Sequence, residues 1–567
     1  MLFRRNSIFT VLLAIVYIVQ AACSSGGDDS SAPSGPSGPA PAGPVAPTVT
    51  SSVNQGGVNE PLNLQLNASG TGPFTWELTT AQTSLPAGVT LQSSGLLSGT
   101  PTQEGQFPFS VKVTGQGGST TKDLKLTTLG STFRASVVNA TTTPGPVAEA
   151  NGASGADARS FDPGISADGR YVVFDSAASN LTPGLNPGGK LQVYLYDRLT
   201  GLVEMVSVSS TGTPGNENSI VATVSQDGNV VVFDSFANNL VAGDTNGSRD
   251  VFVRNRAANT TVRISQLASG EAPCPNPNPD CNSFDPSISD DGSVIAFGSL
   301  RQLAASDTDD EADVYLYTGS TTLTRLTPGV GGPPAGLAGS PSVSGNGRFV
   351  AFASAKENLI AGDTADGVSD IFVYTVGTGA LRKISSAPGG TAANGNNFGP
   401  SISGDGRFIA FSSEASNLVS GDSNGFSDIF VVDTNASTPA PKLIVNLALN
   451  QGDGDSIFPS ISRDGKLLAF DTTATNYDAA SPDTNGVRDI YIVDRSCSVD
   501  FGTPPSGSCT FKRASIGSNN ALGNNQSIFP ALSGDGTYVA YFSDATNLIP
   551  DVGDTNGLRD AFVTKRQ

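Results

Sequence analysis

The 567 residues of this chain are enough for several domains, and 66 glycines, 36 prolines and only 14% charged residues are typical of short strands joined by turns. A net charge of −20, from 31 basic and 51 acidic residues, disfavours nucleic acid and anionic lipid headgroups as partners and favours cations or a basic protein surface. The sequence contains no histidine, which excludes Ser-His-Asp and Cys-His catalysis, histidine general bases and histidine-ligated zinc.

The first residues predict an export signal. Two arginines precede an apolar run over 8–19 that is too short to span a bilayer as a mature helix, and small residues then lead to Cys23. Residues 1–22 resemble a bacterial lipoprotein signal, which implies cleavage before Cys23 and lipid attached to its thiol. Ordinary signal cleavage nearby is the alternative. We therefore expect an exported protein held at the cell envelope by lipid, at the outer membrane if the host is Gram-negative.

A tether and a small module follow the signal. Residues 23–46 are rich in Gly, Ser and Pro and predict a flexible tether. Residues 47–130 contain Leu-Pro-Ala-Gly-Val at 85–89 and Ser-Gly-Thr-Pro at 98–101, and so resemble bacterial Ig-like modules with a cadherin-like β-sandwich fold. Alternating apolar residues from Phe107 to Val113 predict a half-buried strand, with Trp76 as a core anchor. We expect this module to act as a spacer.

From residue 131 onward one pattern recurs seven times: a Ser-x-Asp-Gly turn, an apolar run, an acidic loop and a second apolar run. The turns centre on Asp168, Asp227, Asp291, Asn346, Asp405, Asp464 and Asp535, with spacings of 59, 64, 55, 59, 59 and 71 residues. Each unit can hold four short strands, and radial arrays of such units form propellers. The sequence therefore predicts an all-β protein: a seven-bladed β-propeller with four-stranded blades over 131–567, preceded by a small Ig-like β-sandwich. Six blades are the competing count, because the first unit has Asn-Pro-Gly-Gly at 186–189 in place of its acidic loop.

The ends of the repeat region predict how the ring closes. The last unit stops directly after its third strand, at 561–564, whereas residues 133–138 closely echo the fourth strand of the sixth unit at 511–516. The N-terminal strand is therefore predicted to complete the last blade, leaving no large open edge. The repeated phrases resemble the WD40-like repeats of TolB-type propellers, which implies a scaffold for protein–protein contact in the bacterial envelope. TolB itself is soluble with a different N-terminal domain, so its Tol–Pal role is not carried over.

Four cysteines remain besides Cys23, and they form two local pairs. In an oxidising compartment Cys274 with Cys281, and Cys497 with Cys509, are expected to form disulfides that close short loops. Zinc is the weaker alternative because the ligands would have to come from distant blades. The first loop is expected on the face that carries the acidic loops, and the second on the opposite face.

The acidic loop after each second strand repeats as Asp-x-Asn-Gly-x-x-Asp or a variant of it. Oxygen side chains two apart, a Gly turn and then a carboxylate are how a short loop wraps calcium, and the pattern resembles part of the integrin-type propeller loops without their first acidic ligand. A purely architectural turn is the alternative, since Asp and Asn also bond their own backbone. The candidate calcium ligands are Asp244, Asn246, Asp250, Asp307, Asp309, Asp313, Asp363, Asp366, Asp370, Asp422, Asn424, Asp428, Asp483, Asn485, Asp489, Asp554, Asn556 and Asp560.

No phosphate loop, nucleophile elbow or other catalytic constellation stands out. We expect a non-catalytic, monomeric envelope protein whose propeller binds a protein or polysaccharide, with calcium bracing its loops and membrane contact through lipid alone. The alternative is a carboxylate-based enzyme acting on polysaccharide in the propeller channel. An acidic ring around that channel is the expected binding surface. Arginines of the fourth strands are expected on solvated outer strands; they are Arg263, Arg325, Arg382 and Arg513.

Overall fold

A computed structural model describes most of the chain from residue 43 onward. The described ranges are 43–51, 55–83, 85–103, 105–138, 150–154, 163–186, 188–267, 281–308, 311–319, 322–328, 339–357, 359–361, 367–446, 450–478, 482–499, 510–517, 521–549, 554 and 556–566. The predicted signal, Cys23 and nearly all of the predicted tether lie outside these ranges. None of the helices within them is long and apolar enough to cross a membrane.

The N-terminal module is a β-sandwich. Its strands are β1 (Thr48–Val49), β2 (Gln55–Gly57), β3 (Leu62–Gln65), β4 (Ala68–Ser69), β5 (Thr75–Thr83), β6 (Val89–Leu91), β7 (Leu96–Gly99), β8 (Gly105–Gly115) and β9 (Gly118–Leu129). A sheet in the order β2-β9-β8-β5 faces one in the order β3-β7-β6, and β1 pairs with β4. Trp76, Phe109, Val111 and Val113 are buried together between the sheets, which confirms the predicted strand and core anchor.

Seven small antiparallel sheets follow, after β10 (Thr132–Arg134). Blade 1 consists of β11 (Gly164–Ile165), β12 (Tyr171–Ser176), β13 (Gln192–Asp197) and β14 (Leu202–Met205). Blade 2 consists of β15 (Ser219–Val224), β16 (Val230–Ser235), β17 (Asp250–Asn255) and β18 (Thr260–Arg263). Blade 3 consists of β19 (Ser283–Ile288), β20 (Ile295–Ser299), β21 (Asp313–Tyr317) and β22 (Thr324–Arg325). Blade 4 consists of β23 (Ser342–Val343), β24 (Phe349–Ser354), β25 (Asp370–Thr375) and β26 (Ala380–Lys383).

The last three blades complete the ring. Blade 5 consists of β27 (Asn397–Ile402), β28 (Phe408–Ser413), β29 (Asp428–Asp433) and β30 (Lys442–Ile444). Blade 6 consists of β31 (Ser456–Ile461), β32 (Leu467–Thr472), β33 (Asp489–Asp494) and β35 (Phe511–Arg513), and β34 (Ser498–Val499) leaves it to pair with β30. Blade 7 consists of β36 (Ser527–Leu532), β37 (Tyr538–Ser543) and β38 (Asp560–Lys565). Two short 3₁₀ helices are Pro388–Gly390 and Arg495–Cys497.

The ring has seven blades and is closed by its own N-terminus, as the repeats predict. The first strands contact one another in the circular order β11, β15, β19, β23, β27, β31, β36 and back to β11, so they line a central channel. Strand β10 pairs antiparallel with β38, with Arg134 opposite Phe562, and fills the fourth position of blade 7. Apolar second and third strands pack against neighbouring blades, so the core runs around the ring in successive clusters.

The Ser-x-Asp-Gly turns have the predicted role, and one geometry serves all seven. In the fifth blade the Ser403 hydroxyl donates to Oδ1 of Asp405 at 2.7 Å and accepts from the Phe408 backbone at 3.0 Å. Gly406 has a φ of 80°, a conformation that glycine adopts without a steric penalty. Because Ser and Asp satisfy the backbone on both sides of the turn, each inner hairpin ends at a fixed residue.

Backbone hydrogen bonds join these turns into a ring at one end of the channel. They run from blade 2 through each blade to blade 7 and on to blade 1, for example from Gly404 N to Arg463 O at 2.9 Å and from Arg463 N to Gly534 O at 2.9 Å. The Arg463 side chain then crosses from blade 6 and forms an ion pair with Asp290 of blade 3. Burial lowers the pKa of Arg463 to about 10, which leaves the side chain cationic at neutral pH. This end, which we call the closed end, is crossed by the Arg463–Asp290 ion pair and surrounded by the hydrogen-bonded turns.

Candidate functional site: the open end of the propeller

The acidic loops emerge at the opposite end of the channel, which we call the open end. Each loop connects a second strand to a third strand, and the end of the one pairs with the start of the other, as Ser235 does with Asp250. The connections between successive blades emerge at the same end. The loops, the blade junctions and the mouth of the channel therefore share one surface.

Most loop carboxylates contact a buried cationic side chain from the fourth strand. In blade 2, Arg263 Nη1 lies 2.9 Å from Asp244 and 3.2 Å from Asp250. In blade 3, Arg325 Nη2 lies 3.5 Å from Asp307 and 2.8 Å from Asp313, and in blade 4 Lys383 forms an ion pair with Asp370. In blade 6, Arg513 lies 3.8 Å from Asp483 and 3.4 Å from Asp489, and in blade 7 Arg134 lies 3.9 Å from Asp554 and 3.1 Å from Asp560. The expectation that Arg263, Arg325 and Arg513 lie on solvated strands is wrong, because the loop folds over the fourth strand and covers them. Arg382 is exposed, and its neighbour Lys383 makes the contact in blade 4.

A hydroxyl two residues beyond each cation completes the arrangement. Ser265 donates to Oδ1 of Asp250 at 2.5 Å, Ser385 to Asp370 at 2.7 Å, Thr327 to Asp313 at 2.5 Å, Ser515 to Asp489 at 2.5 Å and Ser136 to Asp560 at 2.6 Å. The carboxylate that begins each of these third strands is thus held by a cation and a hydroxyl. Such buried pairs are stable only when both sides are present.

The loop asparagines present their amide nitrogens to the carboxylates. Nδ2 of Asn246 donates to Asp250 at 2.7 Å, and Nδ2 of Asn485 donates to Asp489 at 2.9 Å. Their Oδ1 atoms accept from the backbone two residues on, at 2.8 Å and 3.0 Å. An amide nitrogen is a donor and cannot ligate calcium. Asn556 likewise bonds the backbone, donating to the carbonyl of Ala150 at 2.9 Å.

Calcium at the repeated loops stays a prediction. Within the described ranges no three acidic or cysteine side chains are grouped so as to hold a metal ion. Asp309, Asp363 and Asp366 lie outside those ranges. The expected acidic ring differs from what is observed, because Asp244, Asp307 and Asp483 are buried against arginines rather than presented to solvent.

Blade 1 lacks both the carboxylate and the cation of the repeated ion pair. Gln192 stands where the other blades begin the third strand with Asp. Met205 stands where most of them carry a cation, since it pairs with Tyr194 as Arg263 pairs with Phe252. The Ser207 hydroxyl donates to Oε1 of Gln192 at 2.6 Å. Loss of the acid together with the cation keeps the interior neutral.

The mouth of the channel at the open end carries aromatic side chains at strained backbone positions. The third residue of five first strands has a positive φ beside a break in pairing register: Val221 (41°), Asp285 (52°), Gly399 (58°), Phe458 (51°) and Phe529 (56°). Such a φ is unfavourable for a β-branched or aromatic residue, and strain of this kind clusters at functional sites. Phe458 lies 4.9 Å from Phe529 and 6.3 Å from Phe398 between ring centroids, and all three rings are half-buried.

Buried carboxylates support these strained positions from the neighbouring blade. Asp471 accepts from the Phe529 backbone at 3.1 Å and from Arg488 at 2.5 Å, while Asp234 accepts from the Asp285 backbone at 3.3 Å and lies 3.6 Å from Arg249. Burial raises the pKa of Asp471 to about 6 and that of Asp234 well above its usual range, although both have an arginine nearby. The sequence analysis missed these residues. The signal that could have found them is that Asp234 and Asp471 both occupy the next-to-last position of a second strand.

The cysteines are only partly described. Cys281 and Cys497 are each disulfide-bonded, and their expected partners Cys274 and Cys509 lie outside the described ranges. The predicted pairing therefore stays a prediction. Cys497 differs from the expected cap on the opposite face, since it is fully buried between blades 5 and 6 and its chain continues into β34 along blade 5.

The Ig-like module contacts the closed end through one carboxylate. Glu60 accepts a hydrogen bond from the Tyr538 hydroxyl and lies 3.0 Å from Lys565 and 3.6 Å from Arg198. Burial alone would raise the pKa of Glu60, but these partners outweigh burial and lower it. A cleft of about 810 Å³ separates the module from blades 1 and 7 around this contact.

One known protein family matches the N-terminal module. Residues 20–129 match the family described as "Putative Ig domain". No curated protein matches the sequence. Among solved structures, the chain is similar to "putative TolB" from Agrobacterium tumefaciens, at 16% identity over 50% of this chain and 79% of that one, with a TM-score of 0.30.

Two peptidase structures are also similar to this chain. They are a prolyl endopeptidase, at 13% identity over 83% of this chain and 55% of that one, and a puromycin-hydrolysing peptidase of Mycobacterium tuberculosis, at 12% identity over 71% and 54%. The TM-score is 0.39 in both cases. The N-terminal module is an Ig-like domain, and the part from residue 131 onward is a β-propeller by its own sheet topology.

Proposed function

We propose that this protein is a lipid-anchored, non-catalytic component of the bacterial cell envelope whose propeller binds another envelope protein or a polysaccharide at its open end. The observation that carries the proposal is the aromatic group of Phe398, Phe458 and Phe529 at the mouth of a channel whose other end is closed by Arg463. Half-buried rings offer flat apolar surface to sugar rings or to side chains.

The strained backbone supports a role in recognition. Phe458 and Phe529 have a positive φ in neighbouring blades, and their backbone nitrogens donate hydrogen bonds to the Ser412 hydroxyl and the Asp471 carboxylate, respectively. The fold alone would be satisfied by glycine, as in blade 5, where Gly399 occupies the same position. Large aromatic residues at this position therefore place rings in the mouth at a cost in stability.

Binding is tested with the mature chain carrying Cys23→Ser, so that it stays unlipidated. Phe458→Gly removes one ring while suiting the positive φ. Leu202→Ala, which removes an exposed apolar side chain from the outer strand β14, is the control. We expect capture of one defined envelope protein or polysaccharide to be lost in the first variant and kept in the second. Equal binding by both variants would contradict a site at the mouth.

Anchoring is tested separately in cells. Cys23→Ser is expected to abolish incorporation of labelled fatty acid and to move the protein from the membrane fraction to the soluble fraction. Labelled fatty acid in the Cys23→Ser protein would contradict attachment at that thiol.

The carboxylate-based enzyme is the second candidate, and the raised pKa of Asp471 beside the aromatic group favours it. Both Asp471 oxygens, however, accept hydrogen bonds from the protein itself. Release of reducing sugar from a polysaccharide panel, abolished by Asp471→Asn, would establish the enzyme and displace the scaffold.

A further inference from the structure

The backbone position that carries Phe458 and Phe529 at the mouth carries an aspartate in blade 3. Asp285 is the third residue of β19, as Phe458 is of β31 and Phe529 of β36. All three have a positive φ, between 51° and 56°, and all three precede a proline. Asp285 is half-buried, as the two rings are. One position therefore presents rings from two blades and a carboxylate from a third.

Blade 3 lies opposite the two rings across the channel. In a ring of seven it is three blades away from blade 6 in one direction and three from blade 7 in the other. The closed end shows the same relationship directly, because Arg463 of blade 6 reaches Asp290 of blade 3. There the protein itself supplies the guanidinium and the carboxylate. At the open end the same two blades supply the Phe458 ring and the Asp285 carboxylate.

The side of the mouth that holds Asp285 carries more acid than base. Asp234 is next to it, since Asp234 accepts a hydrogen bond from the Asp285 backbone at 3.3 Å, and Arg249 lies 3.6 Å from Asp234. Burial raises the pKa of Asp234 most, and the charge of Asp285 raises it further, although Arg249 lowers it. On the side of the rings, by contrast, Asp471 pairs with Arg488. The mouth thus has an acidic side and an apolar side.

The protein places its own arginines between a ring and a carboxylate. Arg249 lies over the Phe284 ring, 5.4 Å from its centroid, and 3.6 Å from Asp234. Arg198 lies over the Tyr538 ring, 4.1 Å from its centroid, and beside the carboxylate through which the Ig-like module makes contact. A guanidinium suits such a place because its planar face stacks on the ring while its edge donates to the carboxylate.

We propose that the partner of the mouth is a protein, and that an arginine in a basic segment of it binds between the rings of Phe458 and Phe529 and the carboxylate of Asp285. This inference rests on the proposed function and narrows its two classes of partner to one. The net charge of −20 supports it, because such a chain attracts basic surfaces. A neutral sugar also stacks on rings and donates to a carboxylate, but it gains nothing from the acid excess beside Asp234.

The test is fluorescence anisotropy of the mature Cys23→Ser chain with a labelled hexapeptide of alternating arginine and glycine. At about 0.15 M salt the screening length is about 8 Å, so charges far from the mouth contribute little. The same peptide with citrulline in place of arginine keeps the shape without the charge, and we expect it not to bind. A peptide of alternating lysine and glycine should bind roughly 3–10-fold more weakly, because an ammonium group has no planar face.

Three variants locate the binding of the arginine peptide. Asp285→Asn removes the charge and suits the positive φ, and we expect it to raise the Kd about 10-fold or more. Phe458→Gly should raise the Kd about 3–10-fold. Glu217→Gln removes one exposed negative charge at the junction of blades 1 and 2, also at the open end. It is the matched control and should change the Kd less than about 2-fold.

Three results would overturn the inference: no binding of the arginine peptide at millimolar concentration, equal binding of the arginine and citrulline peptides, or equal weakening by Asp285→Asn and Glu217→Gln. So would capture of an envelope polysaccharide that Phe458→Gly abolishes and Asp285→Asn leaves intact. That result would keep the mouth as the binding site and make its partner a sugar. Capture that persists in Phe458→Gly would instead contradict the proposed function, and this inference with it.

Discussion

The guanidinium of Arg134 lies 3.1 Å from the carboxylate of Asp560, although the two residues stand at opposite ends of the propeller sequence. Arg134 belongs to β10 and Asp560 begins β38, so this ion pair is made only when the ring closes. The side chains are 6% and 0% exposed, which makes the closure sensitive to the loss of either charge.

Arg134→Met is expected to destabilise the propeller by about 3–5 kcal/mol, because it leaves the carboxylates of Asp554 and Asp560 buried without their cation. The measurement is the free energy of unfolding in urea. Arg382→Met, on the exposed face of β26, is the control and should change that free energy by less than about 0.5 kcal/mol. Equal effects of the two variants would contradict the closure argument.

The stability of the protein is expected to depend on Asp428 between about pH 4 and pH 7. Burial raises the folded-state pKa of Asp428 to about 7, whereas an unfolded aspartate has a pKa of about 4, so across this interval the folded chain keeps a proton that the unfolded chain has lost. Stability therefore falls as the pH rises, by about 1.4 kcal/mol per pH unit from this one group, and changes no further above the folded pKa. The measurement is the difference in unfolding free energy between wild type and Asp428→Asn as a function of pH. A flat difference would show that the Asp428 pKa is ordinary.

Glu60→Ala is expected to release the Ig-like module from blades 1 and 7. The substitution removes a carboxylate that accepts from Tyr538 and pairs with Lys565, a loss of about 2 kcal/mol of interdomain contact. Small-angle scattering should then show a larger maximum dimension for the variant than for wild type. Glu77→Ala, in an exposed ion pair with Lys112 within the module, should leave the scattering curve unchanged.

Arg463→Ala is expected to cost about 2 kcal/mol of stability, because the side chain pairs with Asp290 and packs against the turns of blades 4, 5 and 7. Thermal unfolding measures the effect. Lys466→Ala, three residues away in an exposed pair with Asp464, is the control and should stay within about 0.5 kcal/mol of wild type. A smaller effect at Arg463 than at Lys466 would contradict its role in closing the channel.

The blade count, the inner turns and the closing strand follow from sequence because each rests on local chemistry that repeats. Ser403 and Asp405 form the hydrogen bonds of their turn regardless of what packs around it. The similarity between residues 133–138 and 511–516 can be seen in the sequence without knowledge of contacts. The buried arginines were missed because the strand pattern does not say which outer strands a loop will cover. Arg382 and Lys383 are adjacent and point to opposite faces, so only the pairing register distinguishes the exposed one from the buried one.

The candidate site could be predicted only in part. The repeated Asp and Asn residues were recognised, but their partners lie in the fourth strand, in the next blade or, for Asp560, near the start of the propeller. The aromatic mouth depends on a positive φ at Phe458 and Phe529, which no local pattern around those residues indicates. Comparing the seven units position by position, including the two that lack the cation at Met205 and Leu443, is the signal that would have revealed the pairing.

The contact between Glu60 and Tyr538 determines which end of the propeller the Ig-like module faces. Tyr538, Arg198 and Lys565 all lie where inner hairpins turn or third strands end, which is the closed end of the channel. The Ig-like module therefore contacts the propeller at that end. The open end therefore faces away from the Ig-like module, which leaves the rings of Phe458 and Phe529 uncovered by that module.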